Sequence, residues 1–298
     1  MNAGARLGLF AVGAAAAFAG AFGLTAAVVP DELATQWEGP AQMEHDDRGM
    51  ESMPATPAGL VLAASGYELS PVTAPAAAGE PGELSFRILD ADGEAVTSYT
   101  VAHEQRLHLI VVRSDGAGFR HVHPALDAAS GTWSIPWTWD AAGSYRVYAD
   151  FVPGGADAHE SVILTRLVQV AGEFEPAVVE GTSRTDAVDG FDVSLEGELV
   201  AGGAGELTFT VSRGGEPVTA LEPYLGALGH LVALREGDLA YLHAHPAGEE
   251  PEADAASGPE IAFELRAPTA GRYLLYLDFQ VDGEVHTARF LLDAARAR

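Results

Sequence analysis

The chain is 298 residues long, room for two domains of about 100–150 residues, and carries 43 acidic against 16 basic residues, a formal charge of −27. A surface this acidic repels nucleic acid and anionic lipid and attracts cations, which argues against a polynucleotide partner. Cysteine is absent, which removes disulfides, thiolate nucleophiles, iron–sulfur clusters and the blue-copper site that needs a cysteine ligand.

After Arg6 an uncharged, mostly apolar run extends from Leu7 to Val29 and is closed by Pro30-Asp31-Glu32. Its length suits a membrane span, and the preceding positive charge orients the N-terminus inside. Residues 1–30 are therefore expected to form a signal anchor, a single transmembrane helix in the cell membrane with everything downstream extracytoplasmic. Cleavage of a secretory signal peptide near Gly23 or Ala27 is the alternative. Residues 31–57 are acidic and punctuated by proline, and they read as a stalk. Within it Met43, His45, Met50 and Met53 gather thioethers and an imidazole, donors that suit copper, although a plain tether has the same composition.

A first domain is expected over 58–171. Short β-branched or aromatic segments separated by Gly, Pro, Asp and Ser turns predict strands at 83–89, 107–112, 132–137, 144–151 and 161–170, with Asp90-Ala91-Asp92-Gly93 as a turn. Trp133 and Trp137 fall on one side of such a strand and read as core. No window has helical periodicity. A linker follows over 172–189, and a second domain occupies 190–298.

The second domain repeats the first. Gly66-Tyr67-Glu68-Leu69 matches Gly190-Phe191-Asp192-Val193, and the run from Gly143 to Phe151 matches that from Gly271 to Phe279. His108, His121, His123 and Pro124 repeat as His230, His243, His245 and Pro246 with identical spacing, and His159 falls near the place of His286. Internal repetition of this kind predicts two copies of one fold. The fold class is all-β: two tandem immunoglobulin/cupredoxin-like antiparallel β-sandwich domains after an N-terminal transmembrane helix.

Turn chemistry places the histidines. If Glu236-Gly237 is a two-residue hairpin loop, Arg235 faces Asp238 and His230 faces His243, with Cβ atoms about 4.5–5.5 Å apart and His245 on the same face. An Asp282-Gly283 loop sets Phe279 opposite His286 and Asp278 opposite Thr287, so that Asp278 and His286 point to opposite faces. One of the two can join the histidines. Nitrogen matches the other donors, so His286 is expected as the fourth ligand and Asp278 as an outer acceptor for an imidazole N–H. The expected metal ligands are His108, His121, His123 and His159 in one copy and His230, His243, His245 and His286 in the other. His103 lacks a counterpart and reads as surface. Neutral imidazoles in such sets suit copper, with zinc as the alternative.

The strings from Leu107 to Arg113, from Phe119 to Pro124, from Tyr224 to His230 and from Tyr241 to Pro246 resemble a family of exported proteins described as hypothetical secreted or heavy-metal-binding-domain proteins. The likeness covers both domains. The architecture is more loosely similar to YtkA-like and copper-resistance periplasmic sandwiches, which implies copper handling outside the membrane. In the resembling family glutamine commonly stands at the place of Asp278, a departure that argues against this aspartate as a ligand. The expected function is a membrane-anchored protein that sequesters or passes on copper. The alternative is a structural module that docks an envelope partner without metal. No nucleophile elbow, paired catalytic carboxylates or phosphate loop points to an enzyme.

Overall fold

A computed structural model of the chain describes residues 58–155, 160–177, 181–247 and 257–297. All regular structure in these residues is β. The apolar N-terminal run, the Met43–Met53 stretch and His159 lie outside them, and among the described residues no helix is long and apolar enough to cross a membrane.

The first repeat contributes β1 (Ala63–Ala64), β2 (Tyr67–Leu69), β3 (Gly82–Leu89), β4 (Tyr99–Thr100), β5 (His108–Arg113), β6 (Arg120–Val122), β7 (Ala125–Asp127), β8 (Thr132–Trp137), β9 (Gly143–Pro153) and β10 (Val162–Val170). The second contributes β11 (Thr185–Val188), β12 (Phe191–Gly197), β13 (Leu199–Val200), β14 (Ala204–Arg213), β15 (Glu216–Pro217), β16 (Gly229–Arg235), β17 (Tyr241–Pro246), β18 (Glu260–Arg266), β19 (Gly271–Val281) and β20 (Glu284–Ala295). The expected first-domain strands stand within a few residues of their predicted places. The second repeat begins earlier than expected, because β11 lies in the stretch read as linker and pairs with β12.

In the first repeat a sheet ordered β1-β2-β3-β8-β7 faces one ordered β10-β9-β5-β6, with β4 on the edge of β9. Their inner faces enclose Leu84, Phe86, Leu109, Val111, Trp133, Trp137 and Val147 among others, so both tryptophans are core as read from the sequence. The second repeat has the same two layers joined into one continuous sheet, because β17 pairs with β16 up to His243 and then with β18 from Ala244 onward.

The two repeats belong to one compact unit, Ala55–Arg298. Its middle layer explains a feature of the sequence. Strand β5 is buried at all six positions, and β9 and β19 are buried along most of their length, where a sandwich strand would ordinarily alternate. Alternate residues serve two cores: Leu109 and Val111 pack within the first repeat, and Leu231 and Ala233 within the second. Their neighbours Ile110, Val112, Val232 and Leu234 meet Tyr148, Leu274 and Tyr276 in a third core built from both repeats. The contact is reciprocal. The Tyr148 hydroxyl donates to the Leu239 carbonyl at 2.6 Å, and the Tyr276 hydroxyl donates to the Gly116 carbonyl at 2.6 Å. Phe119 stacks on Tyr276 at 3.9 Å between ring centres. Gly116, at φ 79°, admits this approach, since a Cβ there would stand 2.8 Å from Leu274 Cδ1.

Candidate metal centre

Each repeat folds its histidine pattern on the same hairpin. In the first, Ile110 pairs with His121 and Leu109 with Val122, a register that brings His108 opposite His123. In the second, Val232 pairs with His243. The two-residue loop expected at Glu236-Gly237 is therefore corrected to a longer turn. Arg235 N–H donates to Ala240 O, Leu239 N–H donates to Arg235 O, and Leu239 takes φ 54°. The Arg235 guanidinium clasps Asp238 within that turn. His230 thus does not face His243. The register moves by two residues, which preserves the face of every side chain but changes its partner. His243 and His245 stand on β17, at the places that His121 and His123 take in the first repeat.

The first-repeat histidines converge. His108 Nδ1 lies 3.0 Å from His121 Nε2 and 3.2 Å from His123 Nε2, and one ring nitrogen from each residue falls within 4.8 Å of the others. Nitrogens bound tetrahedrally at the usual zinc distance stand about 3.3 Å apart, so this cluster could hold an ion. The outer nitrogens are held. His108 Nε2 lies 3.3 Å from the Ala102 carbonyl, and His121 Nδ1 lies 2.8 Å from Asp278 Oδ2. A carbonyl and a carboxylate can only accept, so these two nitrogens carry the protons. With both imidazoles neutral, His108 Nδ1 and His121 Nε2 face each other as two lone pairs 3.0 Å apart, an arrangement that a bound cation satisfies.

Burial favours the neutral form of His108, His123 and His230. It is the first cause pulling His108 down to about 2, reinforced by the neighbouring His121 and His123. Desolvation likewise brings His123 and His230 down to about 4. Proton competition for these imidazoles is therefore displaced well below 6.5, where unperturbed histidine titrates.

Asp278 belongs to the second repeat, so the site is completed across the repeat boundary. The carboxylate is 3 % exposed, also accepts from Thr287 Oγ1 at 2.6 Å, and pairs directly across the ladder with His230. The expected β19–β20 register is observed, with Asp278 opposite Thr287 and Phe279 opposite His286. Its consequence for His286 differs from the expectation. His286 packs on Phe191 and Phe279 and places Nδ1 2.9 Å from Asp189 Oδ2, on the sheet face opposite to Asp278. It therefore does not join His230, because the residue opposite His230 is Asp278 and adjacent strand positions alternate faces.

His230 stands beside the first-repeat cluster, its ring 6.1 Å from that of His121 and 6.3 Å from that of His108. Its Nε2 meets the Tyr224 carbonyl at 3.0 Å, as His108 Nε2 meets that of Ala102. His103, read from the sequence as surface, lies with its ring 5.6 Å from His230 and 6.2 Å from His108. It is exposed, as read, and its closeness to the cluster is not announced by the repeat because Leu225 occupies the corresponding turn position. A cavity of about 50 Å³ opens among His103, His108, His121, Asp150, His230 and Tyr241. Asp150 is the first-repeat counterpart of Asp278 and accepts from Ser161 Oγ.

The profile of a family described as a domain of unknown function, DUF8832, matches residues 63–165 and again residues 186–296. The chain belongs to this family. Its two matches coincide with the two structural repeats, so one chain carries two DUF8832 modules. No curated protein matches it. Among solved structures it is similar to invasin, a bacterial integrin-binding protein, at 12 % identity and a TM-score of 0.23 over 78 % of this chain and 39 % of that one. It is also similar to the fibronectin(III)-like modules of Clostridium thermocellum CbhA, at 15 % identity and a TM-score of 0.20 over 77 % and 95 % of the respective chains. Similarity to a Salmonella alpha-2-macroglobulin mutant has 14 % identity and a TM-score of 0.26 over 81 % and 15 %. The chain thus spans well under half of invasin and of the macroglobulin. Similarity at these scores is too low to carry function to the DUF8832 chain.

Proposed function

We propose that this chain is an extracytoplasmic metal-binding protein whose primary site takes a divalent copper or zinc ion on His108 Nδ1, His121 Nε2 and His123 Nε2. The observation that supports it is the pair of opposed lone pairs 3.0 Å apart, each fixed by an acceptor on the far side of its ring. Imidazole nitrogen suits both ions, and the resemblance to copper-handling exported sandwiches favours copper. Sequestration or transfer fits better than catalysis, since a cavity of about 50 Å³ admits an ion and a few waters, whereas pockets for organic ligands run to about 300–1,000 Å³. Attachment to the membrane through residues 1–30 is part of the same proposal and rests on their sequence.

Elemental analysis of the purified chain after loading and gel filtration tests the reading. Wild type should hold stoichiometric copper or zinc with a metal-dependent rise in melting temperature, and His121→Ala should lose one ion. Absence of stoichiometric metal in wild type would overturn the reading and leave the histidines as a buried polar network of a structural envelope module.

A further inference from the structure

Three of the five histidines gathered between the repeats belong to the site above. His230 and His103 remain. His230 commits Nε2 to backbone carbonyls of the Tyr224-Leu225 turn, which leaves Nδ1 as its lone pair, the same arrangement that makes His108 a ligand. The two rings lie nearly parallel, 28° apart, with centres 6.3 Å apart, so the second repeat presents its own version of the first ligand to the same space.

His103 is held where chain conformation disfavours it. Ala102 and Gln105 exchange backbone hydrogen bonds around a two-residue turn, in which His103 has φ 48° and Glu104 φ 60°. Consecutive left-handed positions are the domain of Asn and Gly. The second repeat makes the same turn from Tyr224 to Ala227 with Leu225 at φ 53° and Gly226 at φ 80°. The first repeat thus carries an imidazole at the position of Leu225, in unfavourable backbone geometry, with its ring 5.6 Å from His230. The positive φ is common to both turns, and what the first repeat adds is an imidazole lining the cavity beside His230. The cavity is walled on another side by Asp150, whose carboxylate supplies negative charge to offset that of a cation.

We propose that His103 and His230 hold a second divalent copper or zinc ion in the cavity between the repeats, making the centre dinuclear. The inference rests on the reading of His108, His121 and His123 as the first site. One ligand comes from each repeat, so this ion bridges the two DUF8832 modules. With metal–nitrogen bonds of about 2 Å, the two ions stand on the order of 10 Å apart or closer.

The test loads the metal-free full-length chain, in detergent, with Cu(II) and counts bound copper after gel filtration, for wild type, His103→Ala, His230→Gln and His121→Ala. His103 lies on an exposed turn, so its alanine variant is expected to keep the wild-type circular dichroism spectrum even if the His230 variant does not. His103→Ala and His230→Gln should each bind one ion fewer than wild type, and the wild-type electron paramagnetic resonance spectrum should show dipolar broadening with a half-field signal that His103→Ala abolishes. If His121→Ala loses an ion while His103→Ala binds as many as wild type, or if the coppers show no coupling, the second site is wrong and the first stands. If wild type binds none, both fail.

Discussion

Replacement of Asp278 by alanine is the most informative perturbation, because this one carboxylate of the second repeat orients His121 of the first. Two hydrogen bonds are lost, from His121 Nδ1 at 2.8 Å and from Thr287 Oγ1 at 2.6 Å. Bonds to a charged group contribute about 1.5–3 kcal/mol each, and the His121 N–H is left buried without its acceptor. The metal-free protein should therefore lose about 3–5 kcal/mol, the usual cost of removing one member of a buried charged contact. Metal affinity should fall about 10–100-fold, the typical effect of removing the outer acceptor of a ligating histidine. Asp278→Asn keeps an acceptor for His121 and should show a smaller loss of both. Thr287→Val removes one bond to the carboxylate and leaves the His121 contact, so it should cost about 1.5–3 kcal/mol with affinity unchanged. Equilibrium denaturation followed by the fluorescence of the buried tryptophans measures the first quantity, and competition against a chromophoric chelator the second. Equal metal affinity in wild type and Asp278→Ala would refute the assignment of His121 as a ligand held across the repeat boundary.

Tyr148→Phe and Tyr276→Phe each delete one of the reciprocal bonds between repeats, and each should cost about 1 kcal/mol, or about 2–4 °C in melting temperature for a unit of this size. Calorimetry showing neither variant shifted would mean that the repeats do not dock through this layer. Asp238 tests the adjoining turn by pH, since its hydrogen bonds from Arg235 pull its carboxyl below the ordinary value of 3.8. A lowered folded-state value makes this contribution complete above that pH and lost as pH falls below it. Asp238→Asn should be less stable than wild type at pH 7, with a gap that narrows as pH falls below 3.8 and through the lowered folded-state value, and a gap in denaturation midpoint that stays constant through the whole acid range would contradict the role given to the carboxylate.

Local rules carried much of this structure. Turn chemistry and period-two alternation placed β8 at Thr132–Trp137 and fixed the Asp282-Gly283 hairpin, with Asp278 opposite Thr287. They also marked Asp278 as an acceptor for an imidazole N–H, and internal repetition disclosed two copies of one fold. Glu236-Gly237 was harder to read, because a Gly-containing segment serves a two-residue loop or a longer one equally well, and Leu239 adopts a positive φ that its side chain does not announce.

What tertiary structure alone decided is which histidines meet. The run Leu109-Ile-Val-Val112 and the run Tyr273-Leu-Leu-Tyr-Leu277 show in the sequence that these strands are covered on both faces. Nothing local says that the second cover is the other repeat. That docking brings His230 beside His108, turns Asp278 onto His121 and sets His103 over the shared cavity, while alternation along β20 sends His286 to the opposite face. The sequence determined the donors and the face of the strand on which most of them stand. Which donors share a site depended on two sheets more than a hundred residues apart in the chain burying their outer apolar faces against each other, an encounter set by complementary surfaces and not by spacing along either strand.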